Sequence, residues 1–207
     1  MIVLHAVTPP LAEEADTEGL RRHVRESLTV LYDEADEPPG FDRRTIAEHG
    51  ARLVRLAETN TVLPMRFGTW TESVAELEAM VHEHAPSWRH VLSRVEGHHE
   101  LIVHLDTTAE PEPEPRSPTG AEYLRRRAET LRRQDEQWAA LESLVGQFSR
   151  EMRLLPDRHR MAVLVRRELT GMLRDALTAW SEARPGPAVE LTGPWPPFSF
   201  CDEREHP

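Results

Sequence analysis

The chain has 207 residues, 39% of them hydrophobic and 29% charged, the balance of a water-soluble folded protein with enough residues for one or two buried cores. A formal net charge of −11 argues against nucleic acid as a partner, because neutralising phosphates needs a basic surface. All 25 basic residues are arginine, which excludes P-loop, Schiff-base and pyridoxal chemistries that depend on a lysine amine.

Ile2 to Thr8 is a short, mainly apolar run closed by Pro9-Pro10 and is predicted to be a strand. It follows no basic segment and is too short for a secretory signal, and no run approaches the roughly 18 apolar residues of a membrane span, so a cytoplasmic protein is expected. The acidic stretch from Leu11 to Arg25 reads as either a short helix or a loop. Leu28 to Tyr32, β-branched and aromatic, is a second strand, ended by an acidic run and Pro38-Pro39-Gly40. A helix over about Asp42 to Glu58 places Ile46, Leu53, Val54 and Ala57 on one face, and Asn60 terminates it. Thr61 to Thr69 is extended, and Pro64, which cannot donate to a ladder, makes it an edge or bulged strand.

Glu72 to Val95 is the next helix, with apolar positions at Val74, Leu77, Val81, Trp88, Val91 and Leu92. Pro86 should kink or divide it, and Gly97 stops it. Glu100 to Leu105 is a strand. A Pro/Glu-rich spacer over 107–119 marks the domain boundary, separating an N-terminal domain 1–106, whose last strand can pair with the second, from a C-terminal domain 120–207. The longest helix, about Ala121 to Phe148, repeats Leu124, Leu131, Trp138, Val145 and Met152 every seven residues, an apolar stripe as in a coiled-coil-like hairpin or a helix lying on a sheet, with Arg–Glu i,i+4 pairs on its polar side. Met152 to Leu155 and Met161 to Val165 are strands, Leu169 to Ala183 is a helix, and Ala188 to Thr192 is the last strand. The fold class is therefore α+β in two domains, and the βαββαβ order from Leu101 onward is that of a ferredoxin-like unit.

Catalytic motifs are scarce. There is no GxSxG, Walker, GxGxxG or CxxC motif, and no cofactor is expected. His82 and His84 stand at i,i+2 on a helix and point to different faces, while His98 and His99 sit at a turn, so neither pair is expected to hold a metal. Cys201 is the single cysteine, has no evident base partner, and fits a reducing compartment.

Two segments stand out instead. In Val62-Leu63-Pro64-Met65-Arg66-Phe67-Gly68-Thr69 one arginine lies among apolar neighbours. Either Arg66 pairs with a carboxylate on an edge strand, or the edge is open to a partner. Gly193-Pro194-Trp195-Pro196-Pro197-Phe198-Ser199-Phe200 packs three prolines and three aromatics into eight residues. The aromatics either close the protein's own core or dock on a partner at low entropic cost.

The first segment resembles the VLPLRFGT-type signature of the gas vesicle GvpF/GvpL family. Leu191 to Phe200 is similar to that family's LTGPWPPYSF terminal signature, with Phe198 in place of Tyr, and Gly120 to Arg127, with Tyr123 and Leu124, resembles its G-x-x-YL-x-x-R helix opening. The resemblance implies a two-domain α+β accessory protein of the gas vesicle that is not an enzyme. Its implied partners are the hydrophobic shell subunit and other accessory proteins, which it binds during assembly. An enzyme with a histidine–carboxylate site and a structural part of the mature shell are the competing expectations; the sequence leaves the oligomeric state open.

Overall fold

The structure is a computed structural model and describes residues 1–106, 119–156, 159–184 and 188–201. Among the described residues it is an α+β fold with two sheets and four α-helices. The chain divides into two compact units, Met1–Glu100 together with the tail from Pro194, and Leu101–Gly193. The units part at Leu101 and Pro194, whereas the expected spacer at 107–119 lies, but for Thr119, outside the described residues.

In the first unit β1 (Ile2–Thr8), β2 (Arg21–Arg25) and β3 (Leu28–Glu34) form antiparallel neighbours in the order β2-β3-β1. Two short strands, β4 (Leu63–Pro64) and β5 (Trp70–Thr71), both pair with β1. Every residue of β1 is buried, which explains a nearly continuous apolar run where a half-buried strand would alternate. β2 corrects the helix-or-loop reading of Leu11 to Arg25. It joins β3 through a two-residue turn in which Glu26 and Ser27 have φ of 51° and 59°, the left-handed conformations of a type I′ hairpin. That turn usually carries Asn-Gly, so its sequence signal is missing here.

Helix α1 (Arg43–Thr59) starts where Asp42 accepts the backbone N–H groups of Arg44 and Thr45, and ends at Asn60. Its buried face is His49, Leu53, Leu56 and Ala57, so the face is rotated from the expected one and Ile46 is exposed. With Ala6, Leu20, Leu31 and Val62 the aliphatic members form one hydrophobic cluster of this unit. Helix α2 (Val74–Val95) is capped by Ser73, and runs through Pro86 without division. Ala85 and Trp88 are buried on either side of the proline, and packing there offsets the lost backbone bond. Val74, in its first turn, is exposed and contributes nothing to the buried face.

The second unit is built on a four-stranded sheet of β6 (His98–Asp106), β7 (Ser149–Leu154), β8 (Arg160–Arg166) and β9 (Ala188–Trp195), ordered β7-β8-β6-β9. Between β6 and β7 lies α3 (Gly120–Gly146); between β8 and β9 lie a one-turn 3-10 helix and α4 (Thr170–Glu182). Leu101, Val103 and Leu105 meet Met161, Val163 and Val165 in one core, roofed by Leu141 and Val145 of α3 and Leu173, Leu177 and Trp180 of α4. The stripe expected along all of α3 is buried only in its last turns, at Leu141 and Val145, while Leu124 and Leu131 are exposed.

Candidate functional site

The bulge in β1 positions the site. Leu4 pairs with Tyr32 and Ala6 with Leu31, so His5 is the extra residue of a β-bulge and its side chain is re-aimed toward α1. Its Nδ1 lies 3.0 Å from Nδ1 of His49 in α1. His49 Nε2–H donates to the Met65 carbonyl at 3.2 Å. A carbonyl only accepts, so neutral His49 keeps its proton on Nε2 and its Nδ1 accepts from His5 Nδ1–H. His5 Nε2 is then left bare. It lies 3.3 Å from Asp33 Oδ2 with no hydrogen bond formed, as two electron-rich atoms require. Asp33 is instead held by Arg52, Nη1 donating at 2.7 Å.

Burial in this apolar setting lowers the His5 pKa to about 4, with the neighbouring His49 and Arg52 adding to the effect and Asp33 opposing it. His49 is lowered by burial as well. Both rings are therefore neutral near pH 7, and the His5–Asp33 approach is not an ion pair there.

The segment from Val62 to Thr69 lies over this pair. Val62 and Leu63 are buried, Pro64 pairs with Ala6 in β4, and the Met65 N–H donates to the His5 carbonyl at 2.9 Å. The chain then turns, with Thr69 N–H and Oγ1–H both donating to the Arg66 carbonyl at 3.1 and 2.8 Å. Gly68 sits at φ 82°, and a β-carbon there would come 2.7 Å from the Phe41 ring. Phe67 packs edge-on against both His49 and Phe41, ring centroids 5.4 Å apart in each pair. Phe41 is 77% exposed. Arg66 is exposed too and its side chain has no carboxylate partner among the described residues, so the paired-arginine reading of this segment does not hold there.

The tail forms a second cluster. Glu100, only 3% exposed, accepts the Ser199 backbone N–H at 2.7 Å and the Ser199 hydroxyl at 2.6 Å, and Arg94 donates to the Phe200 carbonyl. Phe200, Pro196 and Pro197 are buried, Pro194 is exposed, and Trp195 and Phe198 remain 37% and 46% exposed. The tail thus divides its aromatics between the core and the surface. Gly193, at φ 113°, closes the second unit, in which Tyr123 and Leu124 are exposed on α3.

The histidines singled out in the sequence are dispersed: His82 meets Glu26 at 2.7 Å, His84 stacks on Trp88, and His104 lies 3.8 Å from Glu190. Among the described residues no group of three or more His, Cys, Asp or Glu is arranged to hold a metal, and no helix is long and apolar enough to cross a membrane. His5, His49 and Glu100 were not legible as site residues. The only signals were a histidine inside an apolar strand, another in register with Leu53 and Leu56, and an acid opening a buried strand.

The fold is thus of the α+β class in two compact units, with residues 62–69 and 194–200 both held in the first. The sequence matches the family described as "Gas vesicle synthesis protein GvpL/GvpF" over residues 3–202, and the chain belongs to that family. It is 26% identical to "Gas vesicle protein L" of Streptomyces sp. (strain CB03234), over 74% of this chain and 67% of that one. In fold it is similar to the crystal structure of gas vesicle protein GvpF from Microcystis aeruginosa, with a TM-score of 0.76 at 14% identity, covering 97% of this chain and 98% of that one. The crystal structure of GvpF from Anabaena sp. PCC7120 is comparably similar, with a TM-score of 0.78 at 15% identity over 99% and 97% of the two chains.

Proposed function

We propose that the chain is a non-enzymatic assembly factor of the gas vesicle, acting in the cytoplasm and at the growing vesicle. In this reading it binds the hydrophobic shell subunit and other accessory proteins during nucleation. The observation that carries it is the edge made by Val62 to Thr69, where exposed Arg66 and Phe41 flank a two-residue strand. Apolar strands of an unassembled subunit aggregate unless their edges are covered, and a short edge with an exposed cation and an exposed ring is suited to cover them transiently. The −11 charge of the whole chain keeps such a carrier dispersed.

The two compact units are read as two domains, and the second as ferredoxin-like; its βαββαβ order and the strand order β7-β8-β6-β9 support that assignment. For a hydrolase or transferase, the histidine–carboxylate approach with the most buried histidine among the described residues is that of His5 and Asp33. His5 is buried and its bare Nε2 is turned to the Asp33 carboxylate, which counts against that reading.

The test is co-purification of the tagged chain with each vesicle protein, alongside buoyancy of a deletion strain. Capture of the shell subunit or an accessory protein, with loss of buoyancy, is the expected result. No capture together with normal buoyancy refutes the proposal. A chain that survives denaturant washing of intact vesicles is a shell component rather than a carrier.

A further inference from the structure

Helix α3 runs 27 residues, yet only its last turns enter the core of its unit. Leu141 and Val145 are fully buried and Trp138 packs against that core, while Leu124 is 67% and Leu131 46% exposed. Leu124, Leu131 and Trp138 recur every seven residues, a spacing that drifts only about 20° per heptad, so they form one stripe. Four turns of helix with an uncovered stripe are marginal alone in water, and an apolar seam of this spacing is what a second helix packs against.

The charges along the same helix say which second helix fits. Residues 120–133 hold five arginines and two glutamates; residues 134–146 hold three acids and no base. We propose that α3 is a self-pairing surface, on which the α3 of a second copy of this chain lies antiparallel with the two-fold axis at Leu131. That register places Leu124 of one copy against the part of the other's Trp138 that its own core leaves exposed, and Leu131 against itself. It also sets each arginine-rich end beside an acidic end, with Arg125 and Asp135 on the same side of the seam. A parallel pair would stack arginine on arginine, a like-charge arrangement that opposes association. The pairing is independent of what the first unit binds.

Sedimentation velocity on the full chain, over a series from low to high micromolar concentration, should show monomer–dimer exchange. A monomer throughout overturns the proposal. Leu124→Glu with Leu131→Glu should weaken the dimer at least about tenfold with helix content unchanged, whereas an undisturbed dimer places the contact elsewhere and also overturns it. A chain carrying Arg125→Glu and Arg127→Glu, and another carrying Asp135→Arg and Glu136→Arg, should each self-associate weakly and associate with one another when mixed; failure of the mixture to associate refutes the antiparallel register. In a Cys201→Ser background, Leu131→Cys should cross-link to its own copy and Leu124→Cys should not. Self-coupling of Leu124→Cys would mean parallel helices and sink the idea.

Discussion

His5 and His49 share a single proton between facing Nδ1 atoms 3.0 Å apart, and that contact ties the bulge of β1 to the α1 helix directly beneath Met65. A second proton on either ring would put a cation into a buried site beside Arg52, and for His5 the Asp33 carboxylate offsets that cost only in part. Burial therefore favours the neutral pair.

Stability should fall as the medium is acidified through this pair. An unfolded histidine titrates at about 6.5 while folded His5 titrates at about 4, so between these values the unfolded state takes up a proton that the folded state refuses. The contribution is complete above the unfolded value and is lost as pH drops toward the folded one, by roughly 2–3 kcal/mol for His5, with His49 acting in the same direction. Urea midpoints measured at about pH 7 and about pH 5 should differ accordingly, and His49→Gln should flatten the dependence.

Gly68→Ala should destabilise the fold by about 1–2 kcal/mol, since it adds a β-carbon both at φ 82° and against the Phe41 ring. Phe41→Ala in the same chain removes the clash but not the backbone strain. The double variant should recover part of the loss in thermal melts, and full recovery or none would contradict this division.

Ser199→Ala deletes a hydroxyl that donates to the buried Glu100 carboxylate at 2.6 Å, leaving the backbone N–H bond in place. A loss of about 1.5–3 kcal/mol is expected, as for hydrogen bonds to charged groups. Hydrogen exchange should localise the loosening to the tail that holds Phe200 in the core.

Ser27→Gly should stabilise the chain by about 1 kcal/mol, because Ser27 holds φ 59° in the type I′ turn and its side chain is not needed there. An unchanged or lowered denaturation midpoint would show that the turn is less strained than its dihedral implies.

The elements legible in the sequence were those whose burial pattern is local. Leu77, Val81, Trp88, Val91 and Leu92 lie on one helix face as their spacing requires, and Met161 to Val165 is buried on both faces as its unbroken apolar run implies. β2 was missed because Arg21 to Arg25 is an exposed edge of mostly charged residues and its turn lacks glycine. The exposure of Leu124 and Leu131 was missed for the opposite reason. Periodicity reports that a face is apolar and says nothing of whether a neighbour reaches it.

By itself the sequence determined the absence of lysine chemistry, most strand and helix positions, and, through its two signature segments, the family. All of these depend on residue identity and on spacing within one segment. Only the tertiary structure decided that His5, His49 and Met65 meet, that Arg66 faces solvent while Glu100 is buried under Ser199, and which end of α3 has a core to enter. Those outcomes depend on a one-residue bulge and on contacts between residues up to 99 positions apart, and no local pattern encodes them.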